Sequence, residues 1–129
     1  LGNDSLYLSF DPADLPNSVD GGVGMDTLVL QGLVDGGSYD LTAMANITDN
    51  IEALDIRDGA GTAISVSGLD VQSMVDGGAS SQLVIMADSG DSLDLTALGT
   101  VGVDYTVTTI DAVTVEYTID QATIQWHIG

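Results

Sequence analysis

An all-β fold is predicted by three features of this 129-residue sequence. Short Leu-x-Leu and Ile-x-Val alternations recur along it, each bounded by Asp-Gly or Gly-Gly punctuation, as in strands joined by tight turns. Eighteen of the 20 acidic residues are Asp, which favours turns and ligation over helix surfaces. Segments of helical period are few and short, at 69–75 (LDVQSMV) and 42–47. Two architectures suit such strands: a two-sheet β-sandwich or a flattened β-solenoid. Both bury two facing sheets.

In chain order the strand candidates are Ser5–Ser9, Thr27–Gln31, 38–43, 50–55, 63–67, Gln82–Ala87 and 92–96. Internal echoes favour a stack of similar units. Residues 39–44 (YDLTAM) return at 93–98 (LDLTAL), and Asp-Gly-Gly occurs at Asp20, Asp35 and Asp76. The expected core is Leu28, Leu30, Leu41, Ile51, Leu54, Ile56, Ile64, Val66, Leu83, Ile85, Leu93 and Leu95. Strands at 103–109, 112–119 and Ala122–Ile128 alternate cleanly across turns at Ile110-Asp111 and Asp120-Gln121. Val113, Val115, Tyr117 and Ile119 share one face, and Ile124, Trp126 and Ile128 form the apolar face of the next strand. This predicts an antiparallel meander that closes one end or edge of the domain.

The formal net charge is −19, with one Arg, no Lys and one His. Nucleic-acid binding needs a basic face and is excluded. Charge also argues against docking on an anionic membrane, and no apolar run reaches transmembrane length. With 44% hydrophobic residues the chain is not an acidic disordered tail. Self-repulsion opposes a compact state unless cations neutralise part of it. A chain of this size makes a single domain, 1–129, with 10–19 (FDPADLPNSV) as a looped insertion or linker.

The stretch 20–30 (DGGVGMDTLVL) is the most informative. Gly21, Gly22, Gly24 and Asp26, followed by Leu28, fit the pattern G-G-x-G-x-D-x-U-x, where U is large and apolar. Glycines allow a tight turn to turn its carbonyls inward, and Asp26 adds a carboxylate as the chain leaves the turn. Calcium, a hard cation taking six to eight oxygens, suits that set, with Asp20 beside it. Gly2 and Asp4, in 2–8 (GNDSLYL), form a second half-motif 22 residues earlier, where two regular nonapeptides would repeat after 18. Calcium ligation is therefore expected at Gly2, Asp4, Asp20, Gly21, Gly22, Gly24 and Asp26.

Asp88 and Asp91, in 88–95 (DSGDSLDL), form a second acidic cluster without paired glycines, read first as a solvated hairpin and second as a metal site. Asp35 and Asp76 read as turn residues, and Asp55 and Asp58 lack the EF-hand ladder. No catalytic residue is expected. His127, the single histidine, is a surface strand residue, and zinc sites of usual ligand count are excluded without cysteine. No Gly-x-Ser-x-Gly elbow is present, and a sugar-cleaving groove normally carries more aromatics.

The nonapeptide resembles the calcium-binding repeat of RTX proteins. Together 21–30, 39–42 (YDLT) and 50–56 (NIEALDI) resemble a module of large RTX adhesins of Gram-negative bacteria. Residues 67–71 (SGLDV) and 90–94 (GDSLD), and the closing Tyr105-Thr-Val and Ala122-Thr-Ile, are similar to further parts of it. The resemblance implies a piece of a larger type I secreted protein, folded by Ca2+ outside the cell and serving at the bacterial surface in attachment and biofilm formation. It implies a monomeric structural spacer, or a scaffold for a ligand-binding domain, with neighbouring domains of the same protein as partners. Direct calcium-dependent binding of a cell-surface glycan or peptide is one alternative. The non-catalytic C-terminal region of an RTX-secreted enzyme is another.

Overall fold

Short alternating stretches become strands here because each buries every second side chain against the coil below it. A computed structural model describes residues 2–9, 18–31, 36–40, 47–57, 61–65, 75, 82–94, 105–119 and 122–128. The strands are β1 (Ser5–Ser9), β2 (Val19–Asp20), β3 (Thr27–Gln31), β4 (Ser38–Asp40), β5 (Thr48–Asp49) and β6 (Ala53–Asp55). They continue as β7 (Ala63–Ser65), β8 (Gln82–Ala87), β9 (Ser92–Asp94), β10 (Tyr105–Thr109), β11 (Thr114–Ile119) and β12 (Ala122–Ile128). The all-β expectation holds.

Register selects the solenoid over the sandwich. β1, β3, β6 and β8 pair in parallel, in chain order, on one wall. β4, β7 and β9 pair in parallel on a second wall, and β2 with β5 on a third. Among the described residues the second coil visits all three walls, and on each wall a strand lies on that of the preceding coil. The third wall makes the stack three-sided where two flattened faces were expected. The coil step is 22 residues from Ser5 to Thr27, 26 from Thr27 to Ala53 and 31 from Ala53 to Val84. These coils are all longer than two nonapeptides.

The meander closes one end as expected. β12 joins β8 in parallel, then β11 and β10 follow antiparallel, so the first wall grows to seven strands in the order β1-β3-β6-β8-β12-β11-β10. The β10–β11 turn is closed by Ile110 N–H donating to the Thr114 carbonyl at 3.0 Å, so it spans more than the expected Ile110-Asp111 pair. Val113, assigned to the apolar face, lies in this turn and is exposed.

The core fills the space between the walls in register columns. Leu6, Leu28, Leu54, Ile85 and Trp126 form one column. Leu8 and Leu30 begin another, and Ile56, Ala87 and Ile128 continue it. Leu28, Leu30, Ile51, Leu54, Ile56, Ile64, Leu83 and Ile85 are buried as expected, and Leu93 is half-buried against them. Leu41, Val66, Leu95 and the 42–46 part of a helix candidate lie outside the described residues. So does the other helix candidate except Val75, which packs on the core.

Leu54 sits mid-column with an aliphatic on each side, so its removal leaves a cavity that neighbouring coils cannot fill. Leu54→Ala is expected to cost about 2–5 kcal/mol of unfolding free energy. Urea denaturation followed by circular dichroism measures this as a lower midpoint.

Candidate functional site

Three triplets entering the first wall stack on one another. One step before the paired residues Ser5, Thr27 and Ala53 stand Asp4, Asp26 and Glu52. They fall in register with Leu6, Leu28 and Leu54, two residues further on; Asp26 is buried, Glu52 half-buried and Asp4 exposed. Two residues before each acid the backbone is left-handed: φ is +92° at Gly2, +133° at Gly24 and +57° at Asn50. Gly2-Asn-Asp, Gly24-Met-Asp and Asn50-Ile-Glu are thus one structural repeat. In the fourth coil the column becomes apolar, with buried Leu83 following Glu52, whose carbonyl accepts the Val84 N–H at 2.9 Å.

The acids bind the coils to one another. Asp4 N–H donates to Asp26 Oδ1 at 2.8 Å, and Asp26 N–H donates to Glu52 Oε2 at 2.8 Å. Each carboxylate thereby satisfies the backbone donor at the same column position one coil earlier. The glycine loop folds back on the first coil in the same manner. Met25 N–H donates to Asn3 Oδ1 at 3.0 Å, and Gly2 N–H to the Val23 carbonyl at 3.0 Å. Gly24 lies directly on the Gly2 carbonyl, an approach that leaves no room for a side chain.

Asp26 is 0% exposed, and its second oxygen, Oδ2, has no hydrogen-bond partner. A buried carboxylate oxygen without donor or cation is costly. Beside it lies Gly21. A Cβ there would stand 2.9 Å from Asp26 Oδ2 and 2.7 Å from Asp26 Cβ, and would strike the Asn50 carbonyl oxygen. The Asn50 carbonyl oxygen and Asp26 Oδ2 thus both lie close against the Gly21 backbone, a packing that only glycine admits. This donor set fits a hard cation such as calcium, which accepts carboxylate and backbone carbonyl oxygens together. Asp26 and the Asn50 carbonyl would hold such an ion, which would supply the missing positive partner. Among the described residues no three His, Cys, Asp or Glu side chains converge on a point that could hold a metal. Any ion held here would rest on mixed carboxylate and carbonyl oxygens.

Asp20 closes the outer side of the loop. Its Oδ1 accepts Asn50 Nδ2 at 2.8 Å and the Gly22 N–H at 3.0 Å, while Gly21 N–H donates to the Asp49 carbonyl at 3.0 Å. The Asn50 amide first, and then the Gly22 N–H, lower the Asp20 pKa against a small desolvation effect. Of the expected ligands, Gly2, Asp4, Asp20, Gly21, Gly22, Gly24 and Asp26 are thus gathered around one corner. Sequence reasoning missed Asn50 and Glu52 as site residues; they entered as part of a strand at 50–55 and of the resemblance at 50–56. The available signal was N-x-E-x-L standing for G-x-D-x-L, since Asn is the side chain that most readily replaces Gly at positive φ.

Asp88 and Asp91 lie at a different corner, between the β8 and β9 walls, where no hairpin forms because these strands belong to different sheets. Asp91 is buried rather than solvated, and both its oxygens are engaged. Oδ1 accepts Thr62 N–H at 2.9 Å and Thr62 Oγ1–H at 3.0 Å, and Oδ2 accepts Asp88 N–H at 2.8 Å. Asp91 thus ties its coil to the preceding one as Asp26 and Glu52 do. Asp35 and Asp76 lie outside the described residues. His127 is half-buried with Nδ1 2.8 Å from Thr114 Oγ1, its neighbour across β11 and β12. Arg57 forms a two-pronged ion pair with Asp55, with Nε to Oδ1 at 3.0 Å and Nη2 to Oδ2 at 3.0 Å.

Compared with known proteins, the chain matches no family model, no curated protein and no solved structure.

Two expected outcomes follow from this corner and its surroundings. Gly21→Ala drives a methyl group into the Asn50 carbonyl and Asp26, whereas Gly22→Ala meets nothing within 4 Å and strains only its φ of +88°. Gly22→Ala should cost about 1–2 kcal/mol. Gly21→Ala should cost more, about 3 kcal/mol or above, as an overpacking change. Chemical denaturation of both variants checks the order.

The side-chain hydrogen bond from Arg57 holds the Asp55 pKa below its ordinary value, against desolvation. A depressed folded-state pKa gives stability that is full above the unfolded value, about 3.9. That stability is lost as pH falls through the lower folded value. The difference between the protein and Arg57→Ala should therefore be greatest above about pH 4 and close on further acidification. It should not exceed about 1 kcal/mol, because the guanidinium is solvent-screened. Urea midpoints across an acid pH series measure it.

Proposed function

We propose that this chain is a calcium-stabilised extracellular module of a bacterial RTX adhesin. It acts there as a spacer or as a scaffold carrying a ligand-binding domain in surface attachment and biofilm formation. The observation that carries this reading is the fully buried Asp26 with an unpartnered Oδ2, packed with the Asn50 carbonyl oxygen against Gly21. A divalent cation at that corner would balance a buried charge in a chain of net charge −19. It would also fasten the loop of the second coil to the turn of the third.

Type I export follows from the same reading. Where free calcium is scarce, the acidic corner lacks its counter-charge and the chain stays open for passage. Outside the cell, calcium closes it. A stack of parallel coils suits a spacer, since each coil contacts only its neighbours and the walls run continuously along the axis. The chain is read as non-enzymatic, with neighbouring domains of the same large protein as its partners.

Thermal unfolding in chelator and across a calcium titration tests this. An ion that binds only the folded state adds about 2.7 kcal/mol at a hundredfold excess over its Kd. Asp26→Asn separates an ion ligand from a plain hydrogen-bonding residue. The amide keeps an acceptor for Asp4 N–H and removes the buried charge, so in chelator it should be neutral or stabilising. In calcium the order should reverse, with the unaltered protein the more stable and Asp26→Asn indifferent to the ion. A melting temperature of the unaltered protein that ignores calcium would refute the reading.

A further inference from the structure

Three coils place a left-handed residue two positions before the column acid, and in the third that residue is not glycine. Asn50 takes φ +57° where Gly2 and Gly24 take +92° and +133°. Among the described residues it is the one non-glycine residue at positive φ. Glycine reaches this region without steric cost, whereas L side chains other than Asn and Asp resist it. Such a conformation persists where surrounding contacts fix it.

Those contacts run to the loop of the second coil. The Asp49 carbonyl accepts the Gly21 N–H at 3.0 Å, and the N–H groups of Glu52 and Ala53 both donate to the Asp26 carbonyl at 3.1 Å. The turn is thus pinned on either side of Asn50, whose φ and ψ orient the peptide between. Its side chain adds a third tie, Nδ2 donating to Asp20 Oδ1 at 2.8 Å. Within this frame the Asn50 carbonyl oxygen lies against Gly21, as does Asp26 Oδ2, the buried oxygen without a hydrogen-bond partner.

We propose that Asn50 is the positioning residue for a calcium ion at this corner. Its left-handed backbone sets its carbonyl oxygen near Asp26 Oδ2, and its amide clasp on Asp20 holds that backbone in place. This role rests on the calcium reading above and names the residue that governs affinity there. Gly2 and Gly24 supply the same handedness but have no side chain with which to lock it.

Backbone and clasp can be separated by substitution. Alanine at position 50 disfavours the left-handed region and removes the clasp, whereas glycine removes the clasp alone. An ion that requires the left-handed turn binds more weakly in proportion to the fraction of chains that hold it. Asn50→Ala should therefore weaken calcium binding about tenfold. Asn50→Gly should weaken it only about twofold, since glycine visits both signs of φ about equally. Asp20→Ala cuts the clasp from its other end, so its effect should shrink once Asn50 is already glycine.

The test titrates the full chain and its variants with calcium chloride by calorimetry. Melting temperatures are read alongside, in chelator and in saturating calcium. Arg57→Ala, at another corner, is the control for a merely structural loss and should lower the melting temperature equally in both conditions. Asn50→Ala should lose more in calcium than in chelator. If chelator leaves the chain unfolded, both series are run in trimethylamine oxide, which favours the compact state.

The proposal is overturned if the loss of melting temperature in Asn50→Ala is the same with and without the ion. Asn50→Gly binding no better than Asn50→Ala would give the whole effect to the side chain and overturn the backbone role. An unaltered chain that binds calcium, beside an Asn50→Ala that binds it as tightly, refutes this role alone. An unaltered chain that ignores calcium refutes the calcium reading and this role with it.

Discussion

The stack depends on inward carboxylates that satisfy backbone donors of the coil before. At a solenoid corner the chain leaves one wall for the next and its N–H groups lose the regular ladder. Buried donors left unpaired cost about 1–3 kcal/mol each. Asp26 accepts the N–H of Asp4, Glu52 that of Asp26, and Asp91 that of Thr62. Each bond crosses from one coil to the next at the corner, where strand pairing has ended. Strand ladders bind the coils along the walls, and the carboxylates bind them where the walls meet. Charge-assisted bonds are about twice as strong as neutral ones, which suits positions with only one donor to capture.

That arrangement accounts for Asp26, Glu52 and Asp91, whereas Asp4, Asp20, Asp40, Asp49 and Asp111 are exposed. An acid on the column satisfies a donor but brings its own charge inside, and a chain with one Arg has almost no positive side chain to answer it. Glu52 and Asp91 keep some solvent contact or use both oxygens on protein donors. Asp26 does neither at Oδ2, and it is the fully buried member of the set. The corner around Gly21 is thus where an external cation has most to contribute, and also where glycine is indispensable for space. Asp26 thus serves coil stacking with Oδ1, while Oδ2 is left without a hydrogen-bond partner.

Much of the fold was legible because the wall strands write their burial in alternation. Leu28 and Leu30, Leu83 and Ile85, and Ile124 and Trp126 each announce a strand with one apolar face, and all six are buried. The third wall was not legible. β2 and β5 are two residues long, too short for alternation to show, and their pairing of Val19 with Thr48 spans 29 residues without sequence likeness. The site was half legible. Paired glycines and Asp26 advertised the loop, yet its upper boundary is formed by Asn50 and Glu52, where the same geometry is built from different side chains. Asn reaches positive φ without being glycine, and Glu spans the distance with an extra methylene. A reading tied to residue identity passes over them. Asp88 and Asp91 failed the opposite way, since an acidic, serine-rich segment suggested solvent while Asp91 was tucked beneath the Thr62 turn.

The change of the column from acid to aliphatic settles which end of the molecule is dry. Asp4, Asp26 and Glu52 occupy it in the first three coils, then Leu83 and, through β12, Ile124. Carboxylates stand at the end that carries the glycine loop, and aliphatics suit the end continued by the meander. A charge placed at Leu83 would have neither a corner donor nor a route to an ion, because Val84 N–H already serves the Glu52 carbonyl. Polarity therefore runs along the solenoid axis: the column is acidic in the first three coils and apolar from the fourth onward. A module built this way has a direction.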